Sequence, residues 1–224
     1  SLPSPIMDIV ILLFERFTAL DVVGPYEVLR CLPDSRIRFV AKQRGLVRND
    51  AGSLAINADY LLTEALDPEI LIVPGGPGQE ALMGDLGMLN WVKRVNETTK
   101  WTTSVCTGSL VLAAAGFLQG RRATCHWLAL ERLARMGAIA EKQRVVVDGK
   151  YVTSAGVSAG IDMAISLAAI IASPIQAQGI ELALEYDPSP PFKSGSPDKG
   201  PRQFLRSDGG GSCDRFCGGL AWAA

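Results

Sequence analysis

The run Ile-Met-Asp-Ile-Val-Ile-Leu-Leu-Phe, residues 6–14, limits the possible architectures more than any other stretch of the 224-residue chain. It is nearly continuous in apolar residues and too short for a membrane span. A strand of this kind is buried on both faces, as in a parallel sheet covered by helices. The rest of the chain alternates in the same sense. A helix is expected over Val22–Leu32, opening after Asp21, and a strand over Arg36–Ala41. Ile70–Val73 reads as a short buried strand that stops at the Pro-Gly-Gly-Pro-Gly turn. Helices follow over Gly78–Met83 and Leu86–Thr98, then a strand over Trp101–Val105 and a helix over Thr107–Gly116. Val145–Thr153 reads as a hairpin turning at Asp148-Gly149, and two last helices as Ser158–Ile171 and Ile175–Tyr186. Strands alternating with helices give an α/β fold with a mostly parallel sheet.

Composition narrows the function classes. Lys plus Arg number 22 against 23 Asp plus Glu, and no basic block stands out, so nucleic acid is not an expected partner. The first residues lack the pattern of a leader peptide, and the longest late apolar segment, Ala164–Ala172, is too short for a bilayer. The expectation is a soluble cytoplasmic protein. Five cysteines at irregular spacing argue against a disulfide framework, and a single histidine leaves too few ligands for a structural zinc site, so no metal is expected. The glycine-rich stretch from Arg202 has no helical period. A domain over residues 1–201 with a loosely attached tail over 202–224 is expected.

In an open parallel sheet, ligands sit beyond the carboxyl ends of the strands. Three features fall there: Asp21, the pair Gly75-Gly76, and Cys106. Cys106 lies between a strand and the helix expected from Thr107, the setting of a nucleophile elbow. The positive end of that helix stabilises a thiolate. Bringing a free thiol of pKa about 8.5 to a mostly ionised state costs about 2.7 kcal/mol, while a helix end supplies at most about 2. Amides near the sulfur, such as that of Thr107, must supply the rest. Gly75 and Gly76 let backbone approach closely, and two amides facing the sulfur would form an anion hole. His126 is a candidate for contact with the site. Asp21 on its own reads equally as a helix N-cap. Cys31 and Cys125 read as structural.

Five motifs in order carry a resemblance: Leu20-Asp21-Val-Val-Gly-Pro-Tyr-Glu-Val-Leu29, Val73-Pro-Gly-Gly76, Ser104-Val-Cys-Thr-Gly108, Ala123-Thr-Cys-His-Trp127 and Ser154-Ala-Gly-Val-Ser-Ala-Gly-Ile-Asp162. In this order the chain resembles the ThiJ/PfpI superfamily, and within it the isonitrile-hydrating branch, over about residues 6–200. The resemblance implies a flavodoxin-like three-layer sandwich, usually a homodimer, with the elbow cysteine as nucleophile. The matching functional positions are Cys106, Thr107 and Asp21. It implies hydration of a small-molecule isonitrile to an N-substituted formamide, with no cofactor and no metal. A glyoxalase-like activity is the alternative within the superfamily. The ligand-sensing core of a transcriptional regulator is another, although the residues after about 202 do not read as a helix-turn-helix module.

Overall fold

A computed structural model describes residues 7–202 and residue 205 of the chain. Its centre is a seven-stranded sheet. β1 (Met7–Leu12), β2 (Ser35–Ala41), β5 (Tyr60–Leu61), β6 (Ile70–Val73), β7 (Trp101–Val105) and β11 (Tyr151–Ser154) run parallel, and β10 (Val145–Asp148) closes one edge antiparallel to β11. The spatial order is β10-β11-β7-β6-β1-β2-β5. β3 (Gly45–Arg48) pairs with β4 (Ala55–Ala58), and β8 (Arg122–Ala123) with β9 (Ile139–Ala140), as two small outlying ribbons.

The sheet sorts its side chains by parity, because successive residues of a strand face opposite sides. Ile9 and Ile11 of β1, with Ile70 and Ile72 of β6, belong to one core beneath α1 (Ala19–Leu29) and α6 (Ala159–Ile171). Val10, Leu12, Leu71 and Val73 belong to a second core, with Leu89, Val92 and Val95 of α3 (Leu86–Asn96) and Leu110 to Leu112 of α4 (Gly108–Ala114). These strand residues are all essentially inaccessible, as expected for a strand covered on both faces. α2 (Gln79–Gly84) and α5 (Leu130–Arg135) complete the second layer, and α7 (Pro174–Ala183) packs on α6.

Several expected boundaries shift. α1 begins three residues earlier than expected, with Thr18 extended at the N-cap and the Asp21 N–H donating to the Thr18 carbonyl at 3.1 Å. Asp21 is therefore inside the first turn and is not the cap. The hairpin turn sits one residue later than expected: Asp148 pairs with Tyr151, so Gly149-Lys150 forms the two-residue loop. The short ribbons β3–β4 and β8–β9, and α5, have no counterpart in the sequence reading. Their apolar residues are too few to set a period, and their pairing comes from packing. The expected tail, including Cys213 and Cys217, lies outside the described residues apart from Arg202 and Leu205.

The crossover directions decide where a site can lie. From β1 the chain crosses to β2 on one side, and from β6 it crosses to β7 on the other. The carboxyl ends of β1 and β6 thus flank the point where the winding reverses, the usual ligand crevice of such sheets. At the opposite end of the sheet, Asp8 of β1 is held by Arg38 of β2 (Nε to Oδ1 at 3.0 Å) and by Arg36. Arg38 is largely buried and also donates to the Glu64 carbonyl at 2.7 Å. Removing one partner of a buried pair leaves the other charge uncompensated. Arg38→Met is therefore expected to cost about 3 kcal/mol, read as a lower urea midpoint at unchanged slope. Adding Asp8→Asn to that variant should recover much of the loss.

Candidate active site

β7 ends at Val105, and Cys106 follows with φ of +59°. A non-glycine residue in the left-handed region is costly and is held there by its surroundings. Here the Cys106 N–H is shared between the carbonyls of Ser154 and Ala155, at 3.1 Å each. Thr107 caps α4, and Gly108 opens it. A Cβ on Gly108 would collide with the carbonyl oxygen of Val73, so only glycine lets α4 dock this closely on the end of β6. Beneath the turn, the Ser104 and Ser109 hydroxyls meet at 2.8 Å, and Ser109 donates to the Thr124 carbonyl at 2.6 Å. The expected strand-turn-helix elbow is present, and its sulfur-bearing residue is fully buried.

Asp21 reaches this turn from α1. Its carboxyl is inaccessible, and Oδ2 accepts the Gly75 N–H at 2.8 Å. The Gly76 N–H donates to Thr107 Oγ1 at 3.0 Å. The two glycine amides therefore do not face the sulfur, as an anion hole at Gly75 and Gly76 would require. They orient the acid and the threonine on either side of it. A Cβ on Gly75 would lie 2.6 Å from both Thr107 N and Oγ1 and 3.0 Å from Asp21 Oδ2, so the three segments meet there without room for a side chain. The backbone amides that favour a charged sulfur belong to Thr107 and Val157. Val157 is the site residue that sequence reasoning did not single out. It too is left-handed, at φ of +44°, on the loop between β11 and α6. Its only signal in sequence was its place within Ser154-Ala-Gly-Val-Ser.

Protonation departs from the expectation of an activated thiolate. Burial pushes the Cys106 thiol well above its ordinary range, and the neighbouring Asp21 carboxyl pushes it the same way. The Val157 and Thr107 amides oppose this without overcoming it. Desolvation of a small anion costs more than a one-turn dipole and two amides return. Burial likewise raises Asp21 from an ordinary 3.8 to about 8, against the lowering effect of the Gly75 and Cys106 hydrogen bonds. Oδ1 of Asp21 is buried with no partner of ordinary hydrogen-bond geometry. At neutral pH the pair holds protons rather than charge, and Asp21 is in the form that can act as an acid.

His126 meets the 155–158 loop at Gly156. Its ring packs so tightly on Gly156 that a Cβ there would collide with Cδ2. Nδ1 accepts the Leu128 N–H at 3.3 Å, and burial holds the imidazole neutral, with its pKa lowered to about 4. The histidine thus supports the loop that carries Val157. Cys125 is buried beside it and donates to the His126 carbonyl at 3.3 Å, its own thiol pushed up to about 12 by burial. Cys31 sits on α1 and donates to the Glu27 carbonyl at 3.4 Å. Among the described residues, no group of three His, Cys, Asp or Glu side chains is placed to hold a metal ion. No described helix is long and apolar enough to cross a membrane.

The site now has an elbow cysteine, a buried acid from the first helix, and a two-glycine loop that orients that acid. The family model described as DJ-1/PfpI matches residues 7–170 of the chain. The chain belongs to the DJ-1/PfpI family. Among family members, isonitrile hydratase of Pseudomonas putida is 44% identical over 190 residues, spanning 85% of this chain and 83% of that protein. The crystal structure of a ThiJ/PfpI family protein from Pseudomonas syringae superposes with a TM-score of 0.86 at 38% identity, covering 89% of this chain and 83% of that one. An HTH-type transcriptional regulator of Pseudomonas aeruginosa, CdhR, is 30% identical over 138 residues, which is 60% of this chain but 39% of the regulator. The family fold is thus shared between an enzyme and a regulator, so the site must argue the activity.

The raised carboxyl has a consequence for stability. Folding lifts Asp21 from 3.8 to about 8, so over that window the folded state holds a proton that the unfolded chain has released. Its contribution is complete below the unfolded value and is lost as pH rises through about 8. Urea midpoints of the wild type should therefore fall between pH 5 and pH 9, and Asp21→Asn should flatten that fall. An equal slope in both proteins would show that Asp21 ionises normally when folded.

Proposed function

We propose that this chain hydrates isonitriles to N-substituted formamides, with Cys106 as nucleophile and Asp21 as general acid and base. The observation that carries this reading is the buried Asp21 carboxyl, held at the elbow by the Gly75 amide, whose pKa burial raises. The 44% identity to an isonitrile hydratase over most of both chains supports it.

The chemistry suits a dry, uncharged site. An isonitrile is neutral, and its terminal carbon accepts both a nucleophile and a proton. Asp21 delivers its proton to that carbon while the sulfur of Cys106 bonds to it. The carboxylate so formed takes the thiol proton, and the result is a thioimidate with Asp21 protonated again. Asp21 then protonates the imidate nitrogen while a water molecule adds to the carbon and gives its proton to the carboxylate. The carbon–sulfur bond breaks as the hydroxyl becomes a carbonyl. The hydroxyl proton returns to sulfur, and the formamide leaves. No free thiolate has to persist in the resting site, which removes the need for the helix end to ionise Cys106. This is covalent catalysis joined to general acid–base catalysis. The amides of Thr107 and Val157 stabilise sulfur as charge develops on it.

Incubation with an alkyl isonitrile should yield the formamide, whereas methylglyoxal should yield no lactate. The opposite pattern would assign the glyoxalase-like activity instead. Cys106→Ala should abolish turnover with the fold intact. Asp21→Asn keeps the shape but loses the proton and should lower kcat by about 10²–10⁴. Near-normal turnover in Asp21→Asn would remove the acid from the mechanism. Thr107→Ala keeps the amide at the sulfur and should reduce activity far less.

A further inference from the structure

A cavity bounded by the loop over residues 155–158 carries charge that the proposed reaction does not use. It has a volume of about 690 Å³, within the range of small-molecule sites. One wall is the loop over residues 155–158, whose Ala155 carbonyl accepts the Cys106 N–H at 3.1 Å. Trp127, Leu130 and Phe192 supply an apolar surface, and Phe192 is 75% exposed, a large ring with little packed against it. The remaining wall is cationic. Lys142 comes from the segment before β10, and Lys193 and Lys199 come from the segment after α7. None of the three takes part in the ion pairs found among the described residues, whereas Arg144 on the same cavity is tied to Asp162. Asp198 is the sole acidic residue lining it. Three lysines against one aspartate is a local excess in a chain whose formal net charge is -1.

We propose that this cavity receives the N-substituent of the isonitrile, and that it selects substituents joining an aromatic or branched apolar body to a carboxylate. The proposal rests on the hydratase reading. Cys106 is fully buried, and the 155–158 loop both accepts the Cys106 N–H and walls the cavity, so the proposed route brings the reacting carbon in past this loop. An isonitrile group is linear and only two atoms long, which leaves its substituent on the cavity side of that loop. There the apolar body covers Trp127, Leu130 and Phe192, and the carboxylate meets the lysines. Because the lysine side chains are exposed, each contributes modestly and the attraction is screened by salt.

The test uses the reaction products as probes, so that binding is read without turnover. Calorimetry at low salt compares N-formyl-phenylalanine with N-formyl-phenylalaninamide, which lacks the carboxylate. The anion should bind about tenfold tighter, and the ratio should shrink towards one at about 0.5 M salt. In the Lys142→Gln/Lys193→Gln/Lys199→Gln variant the ratio should collapse at low salt as well. Equal affinities in the wild type, or a preference that survives the triple substitution, would overturn the proposal. Assays with cyclohexyl isonitrile separate the two claims. Absence of formamide both there and from 2-isocyano-3-phenylpropanoate, which carries the carboxylate, alongside a lysine-dependent preference for the anion, sinks the hydratase reading and supports an anion-selective cavity. Formamide production without that preference sinks the cavity proposal alone.

Discussion

The site depends on close backbone contact between the end of β6 and the elbow after β7. Gly75 and Gly108 meet the opposing segment with no space for a Cβ, so two strand ends and a helix start converge within a few ångströms. That approach brings the Gly75 amide to the Asp21 carboxyl and the Gly76 amide to the Thr107 hydroxyl. It also excludes water. Exclusion of water raises both the thiol and the carboxyl, and so decides the protonation state from which any chemistry begins.

A dry, protonated pair and a solvated thiolate favour different substrates. A preformed thiolate attacks a polarised carbonyl readily, whereas adding S–H across an isonitrile carbon needs a proton as much as a nucleophile. In the proposed reaction the buried Asp21 would provide that proton at neutral pH, and the amides of Thr107 and Val157 would stabilise charge that develops on sulfur only during reaction. Preorganised donors of this kind cost nothing to rearrange at the moment of bond formation. The left-handed backbone of both Cys106 and Val157 is the local strain by which the scaffold places sulfur and amide together.

Much of this arrangement was legible in the residues themselves. The apolar runs at β1 and β6 identified buried parallel strands, Trp-Thr-Thr-Ser-Val read as a further strand at β7, and the carboxyl-end rule then placed Asp21, Gly75 and Cys106 in one neighbourhood. The directions of the amides were not legible, because a turn sequence such as Pro-Gly-Gly-Pro does not say which partner its N–H groups will find. Asp21 was open to an N-cap reading for the same reason: a shift of three residues in the start of α1 moves it from the cap into the first turn. His126 stood out only as the sole histidine, and its packing on Gly156 follows from a contact thirty residues away along the chain.

Sequence by itself determined the α/β class, the order of buried strands and the strand-turn-helix setting of Cys106, because hydrophobic period and glycine placement act locally along the chain. Tertiary structure alone decided that Gly75 serves Asp21 rather than the sulfur, that Val157 supplies an amide to it, and that Lys142 shares a cavity with Lys193 and Lys199. It also decided the ionisation of the pair. A helix end beside a cysteine is a local feature that favours a thiolate, but desolvation is set by everything packed around the sulfur, and at full burial it is the larger effect.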